Sequence, residues 1–253
     1  MQARLGSSRL PGKVLLPLAG KPMLWHIVDR LRRAPGVTTV GVATSDLPGD
    51  APLRDFCRAE GIPVFAGDER DVLDRFYRAT SSFGGGGDPV LRVTGDCPFV
   101  DPELVGRLLA QYHAGAYDHF AVATGAVAHG AGGARYPDGL DVECIRLSAL
   151  ERAWREATAP SDREHVTPYL YRVAGRFRNG MLPATEDHGG LRWTVDHAAD
   201  FAVVERVYAA LWRADRPFLM SDILAFFAEH PELRALNDAF VGQEGYSHVW
   251  NPK

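Results

Sequence analysis

"PVLRVTGDCPFVDPELVGRLLAQY" spans residues 89–112 and carries the pattern on which the fold turns. Its first six residues, 89–94, form an apolar, β-branched run that reads as a buried strand ending at Gly95. Asp101-Pro102 then offers an N-cap and a first-turn proline. Leu104, Val105, Leu108, Leu109 and Tyr112 follow at helical spacing. Between strand and helix, "TGDCP" puts Asp96 just past the strand's carboxyl end, where open α/β sheets place ligand groups. A plain turn is the alternative, since Gly-Asp-x-Pro is also turn chemistry.

The same unit recurs on either side. "TTVGVAT" (38–44) and "IPVFAG" (62–67) are short β-type runs. Helix faces come from Met23, Leu24, Ile27, Val28 and Leu31, from a segment around Leu53–Glu60, and from Val72, Leu73, Phe76 and Tyr77. This alternation predicts an α/β chain with a mostly parallel sheet and helices on both faces. After about residue 118 the pattern changes. Two β-type runs flank a Gly/Ala-rich connection expected to be mobile. Helices are predicted near 147–158 and 167–174, the second with Thr167 as N-cap. "FRNGMLP" (177–183) and "LRWTV" (191–195) read as strands, and "AADFAVVERVYAALW" (198–212) as a strongly periodic helix. "GGGG" (84–87) reads as a surface loop, and no linker divides residues 1–253 into two domains.

Composition narrows the function classes. With 46% hydrophobic and 24% charged residues among 253, the chain suits a globular protein with a sizeable core. A net charge of −4 without a long basic run argues against a nucleic-acid partner. Cys57, Cys97 and Cys144 are isolated, so neither a disulfide framework nor a zinc cluster is indicated. No apolar run approaches the ~20 residues of a membrane span, and no signal peptide is evident. The expectation is a soluble, cytoplasmic protein that does not enter a membrane.

The opening stretch, "MQARLGSSRLPGKVLLPLAGKP" (1–22), raises the chemical question. Gly6, Ser7, Ser8 and Gly12 let backbone amides approach a ligand, and Arg4, Arg9, Lys13 and Lys21 surround them with positive charge. Amides and cations together suit a polyphosphate. The spacing matches neither the Walker A loop nor the dinucleotide GxGxxG fingerprint. A loop of merely solvated cations is the alternative. Farther on, Asp196 follows "LRWTV" and precedes a helix, so on its own it reads as an N-cap.

Seven segments, in order, resemble the SpsF-type cytidylyltransferases, relatives of the acylneuraminate and 3-deoxy-manno-octulosonate cytidylyltransferases. They are "QARLGSSRLPGKVL", "ATS" (43–45), "GDERDVLDRFYRA" (67–79), "RVTGDCPFVDPEL" (92–104), "YPDGLDVE" (136–143), "DREHVTPYL" (162–170) and "LRWTVDHAADF" (191–201). The resemblance implies a Rossmann-like nucleotide-diphospho-sugar transferase (GT-A-like) α/β/α sandwich. It also implies that residues 118–182 form a substrate cap and dimerisation insertion, and hence a homodimer. The implied reaction transfers CMP from CTP to a hydroxyl of a sugar or sugar acid and releases pyrophosphate, with Mg2+. An in-line attack on the α-phosphorus builds negative charge, which cations and a carboxylate-held metal would offset.

Carried over by resemblance, Arg4 and Lys13 grip the triphosphate. Ala3, Leu5, Gly6, Ser7, Ser8 and Arg9 cradle it. Thr44, Arg75, Thr94 and Gly95 approach the base and ribose. Asp96 and Asp196 hold the metal, with Asp200 a helix-start acid. Tyr136, Asp138, Asp141, Arg163 and His165 shape the acceptor pocket, where a guanidinium suits a carboxylate. Plainer readings stand beside several of these. Arg75 could be a snorkelling helix arginine, residues 161–164 a capping box, Asp138 an ordinary turn residue, and His165 structural. Glycosyl transfer on the same fold is disfavoured, because "TGDCP" stands where an Asp-x-Asp is needed. A non-catalytic binding module is disfavoured by the intact Arg4, Lys13, Asp96 and Asp196 set. Chains of this family run an apolar strand directly into the Gln-Ala-Arg, so the coding start is expected to lie upstream of Met1.

Overall fold

The strand–turn–helix unit forms as the sequence predicts. In the computed structural model, which describes residues 1–84, 89–124 and 133–242, strand Val90–Arg92 runs through a turn into helix Pro102–Ala114. Asp101 caps that helix, its Oδ1 accepting from the amides of Glu103 (2.8 Å) and Leu104 (3.0 Å). The predicted Gly/Ala-rich connection falls on 125–132, and most of the tetraglycine on 85–88; both lie outside the described residues, as does 243–253.

In chain order the strands are β1 (Pro17–Leu18), β2 (Lys21–Pro22), β3 (Val42–Ser45), β4 (Val64–Gly67), β5 (Val90–Arg92), β6 (His119–Val122), β7 (Glu143–Ile145) and β8 (Asn179–Leu182). The main helices are α1 (Met23–Arg32), α2 (Ala51–Ala59), α3 (Val72–Ser82), α4 (Pro102–Ala114), α5 (Leu147–Glu156), α6 (Pro160–His165), α7 (Pro168–Tyr171), α8 (Ala198–Leu211) and α9 (Met220–Glu229). Strand β3 pairs parallel with β4, and a four-stranded sheet runs in the order β5-β7-β6-β8. Gln2 joins the two, making parallel bridges to both Ala43 and Thr94. Its amide donates to Val93 O (2.9 Å) and its carbonyl accepts from Gly95 N (2.9 Å). Residues 1–3 are thus a short strand between β3 and β5, and the opening loop leaves directly from the sheet's carboxyl end.

The sheet is mainly parallel, as expected, with β7 its one antiparallel strand among the described residues. Strand β7 runs antiparallel to both β5 and β6, while β6 and β8 are parallel. Strand β7 thus lies between two strands of the opposite sense. "LRWTV" does not form a ladder; its one bridge joins Arg192 to Asp138. Helix α9, which the sequence reading passed over, packs beside α8.

Two apolar clusters, one on each face of the sheet, give the α/β/α layering. The larger gathers Met23, Leu24, Ile27, Leu53, Leu104, Leu108, Val204, Val207 and Ile223 from α1, α2, α4, α8 and α9. The smaller gathers Val72, Leu73, Phe76, Leu150, Ala153, Val166 and Leu170 from α3, α5 and the α6–α7 region. Residues 118–182, expected as a cap, supply β6, β7 and β8 to the sheet itself, and their helix α6 reaches the cleft described below. At the amino-terminal end of residues 1–3, segments 37–41 and 89–93 flank a cavity of about 310 Å³ that Met1 also lines.

Candidate active site

A cleft of about 820 Å³ opens at the carboxyl edge of residues 1–3, β4 and β5. Its walls come from the opening loop, the 69–72 turn ahead of α3, the 94–96 turn after β5, and α6. The loop is pinned from below: Leu5 N donates to Asp50 Oδ1 at 2.6 Å, and Ser45 Oγ donates to the other oxygen of Asp50. Gly12 folds it back in the left-handed region (φ 70°), its amide donating to Leu5 O at 3.0 Å. The amides of Gly6, Ser8 and Arg9 take no partner among the described residues. Amides left open beside cations are the parts of an anion cradle.

Asp96 and Asp196, a hundred residues apart in sequence, meet because the backbone ties their segments together. Asp96 O accepts from Val195 N at 2.9 Å and from Thr194 Oγ1 at 3.3 Å. Gly95 lets the turn lie close against residues 1–3 and Val14: a Cβ there would lie 3.0 Å from Ala3 Cβ and 3.2 Å from Val14 Cγ1. Gly139, at φ 102°, lets its turn lie against the 193–194 backbone, where a Cβ would stand 2.4 Å from Thr194 N.

Lys13 lies between the two carboxylates. Its Nζ donates to Val195 O (2.5 Å) and Asp196 Oδ1 (3.0 Å), and lies 3.5 Å from Asp96 Oδ2. Burial opposes its charge, but Asp96 and Asp196 outweigh that and hold its pKa above the ordinary lysine value. The other oxygen of Asp196 receives Arg9 Nη2 at 2.8 Å and Arg192 Nη2 at 3.3 Å. Burial pushes the Asp196 carboxyl up, yet Lys13 and Arg9 hold it below the usual carboxylate range. Thr94 Oγ1 donates to Asp96 Oδ1.

A buried support stands behind Asp196. Asp200, fully buried at the start of α8, accepts from the amides of Asp196 (2.9 Å) and His197 (2.8 Å). Arg192 Nε (2.9 Å) and Asn237 Nδ2 (3.0 Å) hold its other oxygen. Burial opposes ionisation of Asp200, but Arg192 and the two amides keep its pKa low. Asp200 is therefore the helix-start acid, and its carboxylate is committed to positioning Asp196.

The sequence-predicted residues divide into those the cleft gathers and those it does not. Ala3, Arg4, Gly6, Ser7, Ser8, Arg9, Lys13, Arg75, Thr94, Gly95, Asp96, Arg163, His165 and Asp196 line it. Arg75 is buried rather than snorkelling; its Nη1 donates to Asp68 O (2.6 Å) and Glu69 O (3.2 Å), and burial and nearby Arg4 lower its pKa. Arg163 spends its guanidinium on Trp154 O (2.7 Å) and on Asp71 Oδ2. Residues 161–164 form no capping box, because α6 begins at Pro160 and Ser161 sits inside it. Val166 follows at φ 73°, ψ −56°, with Thr167 N donating to His165 O at 2.9 Å. This γ-turn of the rare hand is costly for a β-branched residue, and it turns the chain just after His165 enters the cleft wall.

Leu5, Thr44, Tyr136, Asp138 and Asp141 are not among the lining residues. Leu5 packs on the core, and Thr44 is fully buried in β3. Tyr136 is buried, its hydroxyl donating to Pro183 O at 3.3 Å. Asp138 faces Arg192 Nη1 at 3.5 Å. Asp141 accepts from Thr124 Oγ1 and from Gly139 N (2.8 Å). Sequence reading missed Arg192 and Asp50, whose roles depend on partners four and 45 positions away. The i, i+4 spacing of Arg192 and Asp196 was the one available signal. Glu69, Arg70, Asp71 and Glu164 also line the cleft.

Could the aspartate pair hold a divalent cation? An ammonium already lies between the two carboxylates, so the position favours positive charge, and hard oxygen donors suit Mg2+. Among the described residues no group of three or more His, Cys, Asp or Glu could hold a metal. Two carboxylates with the remaining positions left to water and phosphate match the way Mg2+ is held beside nucleotides. The residues fit.

An α/β/α sheet whose carboxyl edge presents open amides, convergent cations and a carboxylate pair is a nucleotide-handling fold. A family model described as cytidylyltransferase matches residues 1–230, and the chain belongs to that family, making it a nucleotidyltransferase. The spore coat polysaccharide biosynthesis protein SpsF of Bacillus subtilis is 30% identical, covering 94% of this chain and 97% of its own length. The MJ1063 protein of Methanocaldococcus jannaschii is 31% identical, covering 98% of this chain and 97% of its own. A cytidylyltransferase structure from Leptospira borgpetersenii superposes with a TM-score of 0.82 at 24% identity, covering 92% of this chain and 94% of that one. The sequence relatives place the chain in the SpsF-type branch, the superposition shows the shared fold, and neither glycosyl transfer nor a non-catalytic module is favoured. Among the described residues no helix is long and apolar enough to cross a membrane.

Proposed function

We propose that the cleft transfers CMP from CTP to a hydroxyl of a sugar or sugar acid. The acceptor oxygen forms a bond to the α-phosphorus, the α–β phosphoanhydride bond breaks, pyrophosphate leaves, and the hydroxyl proton is released. The observation that carries the reading is Lys13, held between Asp96 and Asp196 at the mouth of the amide loop. Arg4, Arg9 and Lys13 would bind the triphosphate oxygens, with the open amides of Gly6, Ser8 and Arg9 orienting them. Asp96 and Asp196 would hold Mg2+, which when bound would offset the negative charge on the phosphoryl oxygens. Asp200 and Arg192 keep Asp196 in place. Arg75 steadies the 68–69 turn beside the nucleotide, and Arg163 and His165 stand at the acceptor side.

The same reading takes in a homodimer paired through residues 118–182, checked by sedimentation, and a cytoplasmic location, where CTP is made. The deciding experiment is a matrix of four nucleoside triphosphates against hydroxylated sugar and sugar-acid acceptors with Mg2+, read by pyrophosphate release and product mass. A CMP adduct with CTP alone is the expected result. Consumption of a nucleotide-diphosphate sugar instead, with no pyrophosphate, would overturn the proposal.

A further inference from the structure

The aspartate pair is already neutralised by the chain's own cations. An ammonium has three protons to give. Lys13 commits one to Val195 O and one to Asp196 Oδ1, with Asp96 Oδ2 facing the third at 3.5 Å. Asp196 also takes Arg9 and Arg192 on its second oxygen. A divalent cation arriving alone must therefore displace a buried ammonium that has no other anion within reach among the described residues.

The three cations differ in freedom. The Arg192 side chain is 2% exposed and locked to Asp200, so it stays. Arg9 is 42% exposed and rides on the amide loop; Lys13 reaches in from the same loop's end. A triphosphate in that loop offers both of them new anionic partners, and their departure uncovers Asp96 and Asp196 on the sides they faced.

Resting on the proposed metal and triphosphate roles, we infer that Lys13 is the resident counter-ion of the aspartate pair. It admits a divalent cation only in company with the triphosphate. Linkage makes the coupling reciprocal: the factor by which nucleotide raises metal affinity equals the factor by which metal raises nucleotide affinity. Lys13 is in this respect a positioning residue that exchanges partners on binding.

Mn2+ is the probe, followed by electron paramagnetic resonance of the free ion and by calorimetry, with an α,β-methylene analogue of CTP that cannot turn over. Wild-type protein is expected to bind Mn2+ weakly alone and far more tightly with the analogue. Lys13→Met should bind Mn2+ alone about tenfold more tightly than wild type, and the analogue should then add little. Lys13→Arg, which keeps a cation in place, should retain the suppression, and circular dichroism checks that each variant is folded. The inference is overturned if Lys13→Met binds Mn2+ alone no better than wild type while Asp96→Asn abolishes Mn2+ binding in the presence of the analogue. If Asp96→Asn and Asp196→Asn both leave that binding intact, the metal assignment itself falls, and this inference with it.

Discussion

Two clusters of paired charge sit on the same sheet, a few residues apart along β5, and they behave as opposites. At the sheet's carboxyl edge, Lys13, Asp96, Asp196 and Arg9 share bonds that open onto the cleft. In the sheet's interior, Glu143 on β7 accepts from Arg92 on β5 and pairs with His119 on β6 at 2.8 Å. Arg92 Nε also donates to Gln2 Oε1 at 3.2 Å. Arg92 and Glu143 are register partners, and His119 lies two residues from Glu143's partner on β6, so period-two alternation puts all three on one face. The interior cluster is 5% exposed or less and does not line the cleft. Ion pairs thus serve two ends: at the rim they would trade partners under the proposal above, and in the interior they tie β5, β7 and β6 together.

If that contrast is right, breaking the rim should abolish chemistry and spare the fold. Asp96→Asn or Asp196→Asn is expected to lower pyrophosphate release by about 10³-fold, the loss of several kcal/mol of charge stabilisation. Their melting temperatures should stay within a few degrees of wild type. Near-normal turnover in both variants would remove the rim from the mechanism.

Breaking the interior should do the reverse. Glu143→Gln leaves Arg92 and His119 without their counter-charge, and such a loss costs about 3–5 kcal/mol in urea unfolding. Burial works against Glu143, but Arg92 and His119 pull its pKa down to about 2. A lowered carboxyl pKa gives stability that is complete above the unfolded value of 4.5 and is lost as pH falls through about 2. Its size at neutral pH is about 3 kcal/mol. The variant should therefore show a flatter stability profile between those pH values; an unchanged profile would mean that the pair is not what holds β5 to β7.

A third variant tests the link between buried support and rim. Asp200→Asn weakens the hold on the Asp196 and His197 amides and on Arg192, at about 1–2 kcal/mol of stability. Because Asp200 orients Asp196, turnover should fall about 10- to 100-fold, with a matching rise in the Mg2+ concentration needed for half-maximal rate. A stability loss with unaltered Mg2+ dependence would reduce Asp200 to a helix cap.

The rim was legible in the sequence because its chemistry sits in contiguous segments. Glycine, serine and arginine crowd residues 4–13, and Asp96 follows a clean strand and precedes a capped helix. The interior cluster was not legible. Arg92, His119 and Glu143 each look like an isolated polar residue in an apolar run, and only the order β5-β7-β6 makes them neighbours. That order hinges on the antiparallel β7, which strand–helix alternation gives no means of anticipating. Arg192 was hidden differently. Read as part of a strand, it should alternate faces; with no ladder formed, it points instead at Asp196 and Asp200, four and eight residues on. Asp138 and Asp141 of "YPDGLDVE" were placed at the acceptor pocket by their motif, but Asp141 turns inward to Thr124 and Gly139.

Asp141 supplies the smallest and most pointed test, because it stands two residues from Glu143 and should titrate with the opposite sign. Burial raises its pKa first, with Asp96 and Glu143 adding to the rise, against the bonds from Thr124 and Gly139. A carboxyl whose folded pKa is raised favours the fold most when protonated, below the unfolded value of 3.8. That contribution is lost as pH rises through the folded value. In Asp141→Asn the loss cannot occur, so stability relative to wild type should improve from pH 4 toward pH 7, measured by urea unfolding with a chelator present. For Glu143→Gln the deficit should instead grow from about pH 2 to 4.5 and stay level from there to pH 7. Parallel pH profiles for the two variants would show that neighbouring buried carboxyls share one electrostatic environment; divergent profiles would show that the partner each faces sets the sign.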